Sequence, residues 1–159
     1  MGTFFQDLLE TESYKANPKR WAELLDWIAL DEKCLKKSDT KIFLQSLGEA
    51  YDAISWETKK DATDWSKRRI GKIQFVSQFK TFHNIIKHIR NILFHGRAEI
   101  VQESGALMIE GQDFGKRSGE KTQTAYIWMP LDFLMEIFDI YQKIENGNKT
   151  AQKEGGNER

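Results

Sequence analysis

Residues 74–97 read QFVSQFKTFHNIIKHIRNILFHGR, and this stretch decides which fold the sequence predicts. Large apolar residues recur in it at a spacing that places them on one side of an α-helix, which turns by about 100° per residue. The pattern predicts one long helix from about Trp65 to His95, with Gly71 as its weakest point. The predicted core-facing residues are Phe75, Phe79, Phe82, Ile86, Ile89 and Leu93.

A polar stripe is predicted on the opposite side of this helix. It consists of Asn84, His88, Asn91 and His95, which follow a 4-3-4 spacing. Most faces opposite a core are simply solvated, but Asn and His are weaker helix formers than the residues that usually fill such faces. These side chains do supply hydrogen-bond donors, acceptors and groups that exchange protons near neutral pH. The polar stripe is therefore the candidate site.

Further amphipathic helices are predicted before this stretch. A short one covers Phe4 to about Glu12, and Asn17-Pro18 is typical of the start of another. A third is predicted after Ser38, with apolar residues at helical spacing as far as Ile54.

The sequence after the long helix predicts a small β insertion and one last helix. Glycines and short apolar pieces alternate over residues 98–129, which favours a hairpin or meander. Helical spacing returns from Leu131 to about Glu145. We therefore predict an all-α (mainly) fold, a helical bundle over residues 1–146 that carries this insertion, and a disordered tail over 147–159.

Composition excludes several classes of protein. The chain of 159 residues carries 24 Lys+Arg and 24 Asp+Glu, so it has no uniformly basic surface for nucleic acid, although a local basic patch remains possible. One cysteine, Cys34, excludes an intramolecular disulfide and fits a reducing compartment. No apolar run is long enough to span a membrane, and the first residues do not resemble a signal peptide. These features predict a soluble, cytoplasmic, single-domain protein.

The sequence offers no other familiar catalytic or metal-binding pattern. His88 and His95 are seven residues apart without a nearby carboxylate or cysteine, which does not fit a zinc site. His83 lies beside the apolar side and is interpreted as a structural histidine. A Gly-rich phosphate loop, a nucleophile elbow and a CxxC motif are all missing from the sequence. We therefore expect neither a metal nor another cofactor.

The segment Arg90-Asn91-Ile92-Leu93-Phe94-His95-Gly96 resembles the motif of the HEPN superfamily. An Arg, usually followed by Asn, precedes a His near the end of a long helix, in the pattern R-x(4–6)-H. Here the motif is RNILFH. The resemblance extends over about residues 3–146, but only these seven residues are specific. It implies a compact helical domain and, as in many members, a metal-independent endoribonuclease.

The resemblance also implies roles for individual residues. His95 would be the general base or acid for attack of the RNA 2′-hydroxyl on the adjacent phosphate, and Arg90 would stabilise that phosphate. Asn91 would orient one of these side chains or hold a phosphate oxygen. His88 and Arg97 would be secondary residues that contact RNA. Because one His and one Arg make an incomplete site, a homodimer would bring two copies together, as is typical of these nucleases.

The biological role that the resemblance implies is that of a toxin or an anti-phage or stress effector, held in check by an antitoxin protein. Some HEPN toxins carry a Tyr two residues after the His, which a partner enzyme modifies. This chain has Arg97 at that position, so regulation by that route is not expected.

Two alternative interpretations remain open. The first is a HEPN-like dimerisation or binding module without nuclease activity. The second is an unrelated helical DNA-binding or regulatory protein, which would use a basic cluster on the predicted long helix. That cluster comprises Lys67, Arg68, Arg69 and Lys72, and in the ribonuclease interpretation it would bind the RNA backbone. More often such a cluster is only a solvated face.

Overall fold

The structure is a computed structural model that describes residues 3–30, 35–50, 54–58, 73–77, 81–95, 97–117 and 119–157. Six α-helices and five β-strands lie in these ranges. The helices are α1 (Thr3–Leu9), α2 (Glu12–Ala16), α3 (Pro18–Ala29), α4 (Lys37–Ala50), α5 (Phe82–Phe94) and α6 (Phe133–Asn157). The strands are β1 (Ile54–Thr58), β2 (Ile73–Ser77), β3 (Ala98–Glu103), β4 (Ala106–Arg117) and β5 (Glu120–Pro130).

The five strands form one mixed sheet in the order β1-β2-β5-β4-β3. Strands β1 and β2 are parallel, whereas β2–β5, β5–β4 and β4–β3 are antiparallel. The fold is therefore mixed α/β, and the prediction of a mainly all-α, HEPN-like helical bundle is wrong. The predicted strand content of residues 98–129 is confirmed, but it belongs to a larger sheet than a local insertion.

The predicted long helix is the main source of this error. Residues 73–77 form β2, and α5 begins only at Phe82, after its N-cap Thr81. Phe75 pairs across the sheet with Ile127 and is not part of a helix face. A short apolar run such as IQFVS is compatible with both the helical and the strand period. Its pairing with the distant strand β5 makes it a strand. Ile54 was misassigned for the same reason, because it begins β1 beside Ile73.

The start and end of α5 are fixed by local hydrogen bonds. The Thr81 hydroxyl oxygen accepts from the Asn84 N–H at 3.3 Å, which satisfies one of the unpaired amides of the first turn. At the other end, the Arg97 N–H donates to the Ile92 carbonyl at 3.2 Å. This bond reverses the chain, so that β3 begins immediately after the helix.

The main hydrophobic core lies between the helices and one face of the sheet. Trp21 of α3 and Ile89 of α5 are fully buried in it, and Ile127 of β5 contributes from the sheet. Side chains alternate along β5, so Tyr126 and Trp128 face the other side of the sheet, where they form a smaller cluster with Met108.

Helix α6 extends further than the sequence predicts. The tail predicted to be disordered, residues 147–159, is helical through Asn157, although it lacks large apolar residues. Adding residues to an existing helix costs little, because nucleation has already taken place. The Asn148 amide also donates to Asp39 of α4 at 3.1 Å, which attaches this part of α6 to the rest of the fold.

Gly111 on β4 is required by the close approach of α5 to the sheet. A Cβ atom at this position would lie 2.3 Å from the Ile92 Cγ2 atom and 3.1 Å from the Arg97 carbonyl oxygen. The first distance is far below van der Waals contact. Gly111 therefore sets how closely α5, and the side chains that it carries, can pack on β4.

Replacing Gly111 with Ala is expected to lower the free energy of unfolding by about 1–3 kcal/mol, the usual cost of overpacking a core. Chemical denaturation measures this value. Gly48→Ala in α4 is the control, since a Cβ there meets no atom within 4 Å and Ala favours a helix. An unchanged stability of Gly111→Ala, or an equal loss in the control, would contradict the prediction.

Candidate functional site

The polar stripe lies where α5 meets the sheet, and not on a face opposite the core. His88 is only 6% exposed, Asn84 and Asn91 are half-buried, and His95 at the end of the helix is exposed. The sequence-based placement was wrong for His88, because β4 covers that side of α5. The stripe therefore has a buried part, which faces β4, and an exposed end at His95.

Asp113 on β4 is the acceptor that organises the buried part. Its side chain is almost completely buried, and its Oδ2 atom lies 2.9 Å from His88 Nδ1 and accepts from Asn91 Nδ2 at 3.1 Å. Its Oδ1 atom accepts from Arg97 Nη1 at 3.3 Å and from the Phe114 N–H at 2.9 Å. We call His88, Asn91, Arg97 and Asp113 the Asp113 cluster.

The pairing between β4 and β5 is irregular where β4 presents this carboxylate, because Thr124 of β5 is an extra, unpaired residue. Asp113 pairs with Ala125, but Phe114 pairs with Gln123, so the register between β4 and β5 shifts by one residue. Such bulges re-aim side chains and are common beside functional sites. Here the Phe114 N–H donates to the carboxylate of Asp113, its own neighbour, which fixes the direction of that side chain.

The hydrogen bonds of the cluster keep Asp113 ionised. Burial alone raises the pKa of Asp113, but the hydrogen bonds from His88 and Asn91, the charge of a protonated His88 and the Phe114 N–H outweigh it. The net effect is a pKa below the ordinary value of 3.8. An ionised carboxylate only accepts hydrogen bonds, so His88 must carry a proton on Nδ1.

The second ring nitrogen of His88 is unusual. His88 Nε2 is buried and has no hydrogen-bond partner within the part of the chain that the structure describes. Leaving a buried polar atom unpaired costs about 1–3 kcal/mol, and such atoms are rare in folded proteins. In the neutral ring with its proton on Nδ1, the Nε2 atom carries a lone pair. The hydrogen bond between Nδ1 and the Asp113 carboxylate fixes the direction of that lone pair.

Arg97 connects the cluster to the surface. Its side chain is 29% exposed, and its Cζ atom lies 5.1 Å from the centre of the Phe114 ring. The guanidinium is thus held by a carboxylate and by an aromatic face at the same time. Since a guanidinium has five N–H groups, this arrangement leaves donors for an anion.

The two ends of the R-x4-H motif do not meet within one chain. Arg90 is half-buried and His95 is exposed, and five helical positions separate their directions by about 140°. His95 is the C-cap of α5, and its backbone N–H donates to the Asn91 carbonyl at 3.0 Å. The structure thus gathers His88, Asn91 and Arg97 of the predicted site residues, and leaves Arg90 and His95 outside the Asp113 cluster.

Several predicted residues lie outside the part of the chain that the structure describes. They are the basic cluster of Lys67, Arg68, Arg69 and Lys72, and also Gly71, Phe79 and Cys34. Asp113 itself was missed by the sequence analysis. The available signal was its period-two spacing from Ile109 and Gly111, which places an acidic residue at a core-facing position of a strand.

The described part of the chain also has features that concern metal ions, membranes and cavities. No group of three His, Cys, Asp or Glu side chains there is arranged to hold a metal ion. None of the described helices is both long and apolar enough to cross a membrane. A surface cavity of about 480 Å³ lies between α4 and α6, lined by residues such as Ile42 and Ile140, and it includes none of the predicted site residues.

Comparisons of the chain with protein-family models, with curated proteins and with solved structures found no match.

Acidification is expected to destabilise the fold through Asp113. Because its folded-state pKa is lowered, its stabilising contribution is present above about pH 4 and is lost as the pH falls through the folded-state pKa. At neutral pH, Asp113→Asn is expected to cost about 1.5–3 kcal/mol, the range for hydrogen bonds to charged groups. Urea denaturation of both proteins at several pH values measures this difference. A difference that stays constant between neutral and strongly acidic pH would contradict the prediction.

Proposed function

We propose that this protein is a metal-independent endoribonuclease, in which the RNA 2′-hydroxyl attacks the adjacent phosphate. The observation that supports the proposal most is the arrangement at the C-terminal end of α5. An exposed imidazole, that of His95, lies two residues before Arg97, whose guanidinium is held in place by Asp113. A proton-transfer group and a fixed cation are thus close together in the chain at a surface.

The chemistry of these side chains fits that reaction. Attack by the 2′-hydroxyl requires a base, departure of the 5′-oxygen requires an acid, and charge on the phosphorane requires a cation. His95 is proposed to transfer the proton, and Arg90 and Arg97 to bind phosphate oxygens, which guanidinium groups do in a bidentate manner. Asn91 is proposed to act indirectly, because its amide donates to Asp113. His88 is buried, so direct contact with RNA is not part of this proposal.

A homodimer belongs to the proposal, because Arg90 and His95 diverge around the helix. Two copies with their α5 helices facing each other would combine His95 of one chain with Arg90 of the other. Phe94, which is 42% exposed, lies beside His95 and packs on Phe5 with ring centres 5.2 Å apart. An exposed Phe94 ring, supported by the half-buried Phe5 ring, favours contact with another protein surface.

A role as a toxin or anti-phage effector, an antitoxin partner and a relationship to the HEPN superfamily are parts of the same proposal. They depend on the motif Arg90–Gly96 alone, since the helical-bundle fold that accompanied it has been corrected. RNA binding by Lys67, Arg68 and Arg69 also remains a proposal.

A binding or dimerisation module without nuclease activity is the second candidate. One observation favours it: Asp113 directs all of its acceptor capacity at groups of its own chain. A cluster with this many internal bonds could serve only to attach α5 to β4. In that case His95 and Arg90 would be replaceable without loss of any activity.

Purified protein is expected to cleave labelled single-stranded RNA in the presence of EDTA. His95→Ala should lower the rate about 10²–10⁴-fold, the usual contribution of general acid–base catalysis. Arg90→Ala should lower it about 10²–10³-fold, as expected for loss of charge stabilisation in the transition state. Gel analysis of the products over time, with detection of 2′,3′-cyclic phosphate ends, measures both rate and mechanism.

His83→Ala and Lys87→Ala are the matched controls, because both side chains are exposed on α5 and neither belongs to the proposed site. Both controls should retain the rate of the unmodified protein. Cleavage that survives in both His95→Ala and Arg90→Ala would exclude the nuclease proposal and leave the binding module.

A further inference from the structure

We propose that Asp113 is a positioning residue, which fixes the tautomer of His88 and the orientation of the guanidinium of Arg97, two residues after the exposed His95 in the chain. The part of this inference that is tested by RNA cleavage rests on the proposed ribonuclease function. Its central claim concerns the protonated nitrogen of His88, which can be measured whether or not the protein cleaves RNA.

The four hydrogen bonds to Asp113 determine which groups must be donors. Each carboxylate oxygen receives two of them, from His88 and Asn91 on Oδ2 and from Arg97 and the Phe114 N–H on Oδ1. Since the carboxylate has no proton to give, His88 is held with a proton on Nδ1, and whenever the ring is neutral Nε2 is the unprotonated atom. The tautomer is thus a consequence of the charge on Asp113.

The position of Arg97 depends on the same carboxylate. Asp113 is anchored by the Phe114 amide, and the Phe114 ring lies under the guanidinium, so two consecutive residues of β4 define where Arg97 lies. Ala98, the next residue after Arg97, pairs with Gly111 in the sheet and fixes the backbone. One carboxylate therefore holds the buried imidazole and the partly exposed cation in a fixed relation.

Asp113→Asn separates a positioning role from a purely electrostatic one. If Asp113 only reduces the positive charge at Arg97, its neutralisation should strengthen RNA binding and lower KM. If Asp113 positions the two groups, the asparagine amide exchanges donor and acceptor in the hydrogen bond between residue 113 and His88. Its NH₂ group, placed where Oδ2 was, would donate to His88 Nδ1 and, once the Asn91 amide has rotated to present its oxygen, to Asn91 as well. The ring proton of His88 would then move to Nε2.

The first test is the tautomer of His88 in ¹⁵N-labelled protein, from two-bond proton–nitrogen correlations recorded above the pH range in which imidazole rings titrate, so that the rings are neutral. We expect the Nδ1–H form in the unmodified protein and the Nε2–H form in Asp113→Asn. His83, which is exposed on the same helix, serves as the internal reference. An Nε2–H form in the unmodified protein would overturn the inference, even if the variant fails to fold. The same tautomer in both proteins would also overturn it.

The second test is the kinetics of RNA cleavage by the same variant. We expect kcat to fall at least tenfold in Asp113→Asn while KM does not decrease. Asp132→Asn is the matched control, because Asp132 is an exposed carboxylate that accepts a hydrogen bond from Ser13, and it should retain both constants. A lower KM with unchanged kcat would support the electrostatic role and overturn the positioning role. Absence of cleavage by the unmodified protein would refute the ribonuclease proposal, while the tautomer experiment would still decide the role of Asp113.

Discussion

The carboxylate of Asp113 accepts four hydrogen bonds in a nearly fully buried position between α5 and β4. Desolvating a carboxylate is costly, and only a complete set of donors makes the position tolerable. The donors come from two turns of α5, from the residue before β3 and from β4 itself. The same bonds that compensate the buried charge therefore hold together the end of α5, the turn after it and the part of β4 that lies opposite the bulge in β5.

The shape of the site depends on backbone packing as well as on this charge. Without a side chain at Gly111, Ile92 can approach the sheet closely enough for His88 and Asn91 to reach Asp113, which lies two residues further along β4. A glycine and an aspartate on the same face of one strand thus act together. Gly111 permits the close approach of α5 to β4, and Asp113 fixes the orientation of α5 on the strand through its hydrogen bonds to His88 and Asn91.

Sequence patterns predicted the parts of the molecule that depend on local interactions. Pro18 begins α3 as expected, the strands after Gly96 lie where glycine spacing indicated, and the polar stripe marked the helix that carries the site. The mixed sheet was not predictable in the same way. Residues 73–77 are compatible with helix or strand, and their strand form depends on pairing with residues 125–128. Asp113 was missed for a related reason, because the side chains that donate to it are 16 to 25 residues away in sequence.

The sheet order also has a consequence for the time course of folding. Strands β3, β4 and β5 are neighbours in sequence and can pair as soon as they are synthesised. The pairing of β2 with β5 requires a strand that lies about fifty residues further along the chain. During synthesis the N-terminal helices and β2 leave the ribosome before β5 exists, so the β5-facing edge of β2 stays unpaired for that interval. The centre of the sheet is thus completed last, and a chain interrupted before residue 125 retains an open strand edge that can pair with other chains.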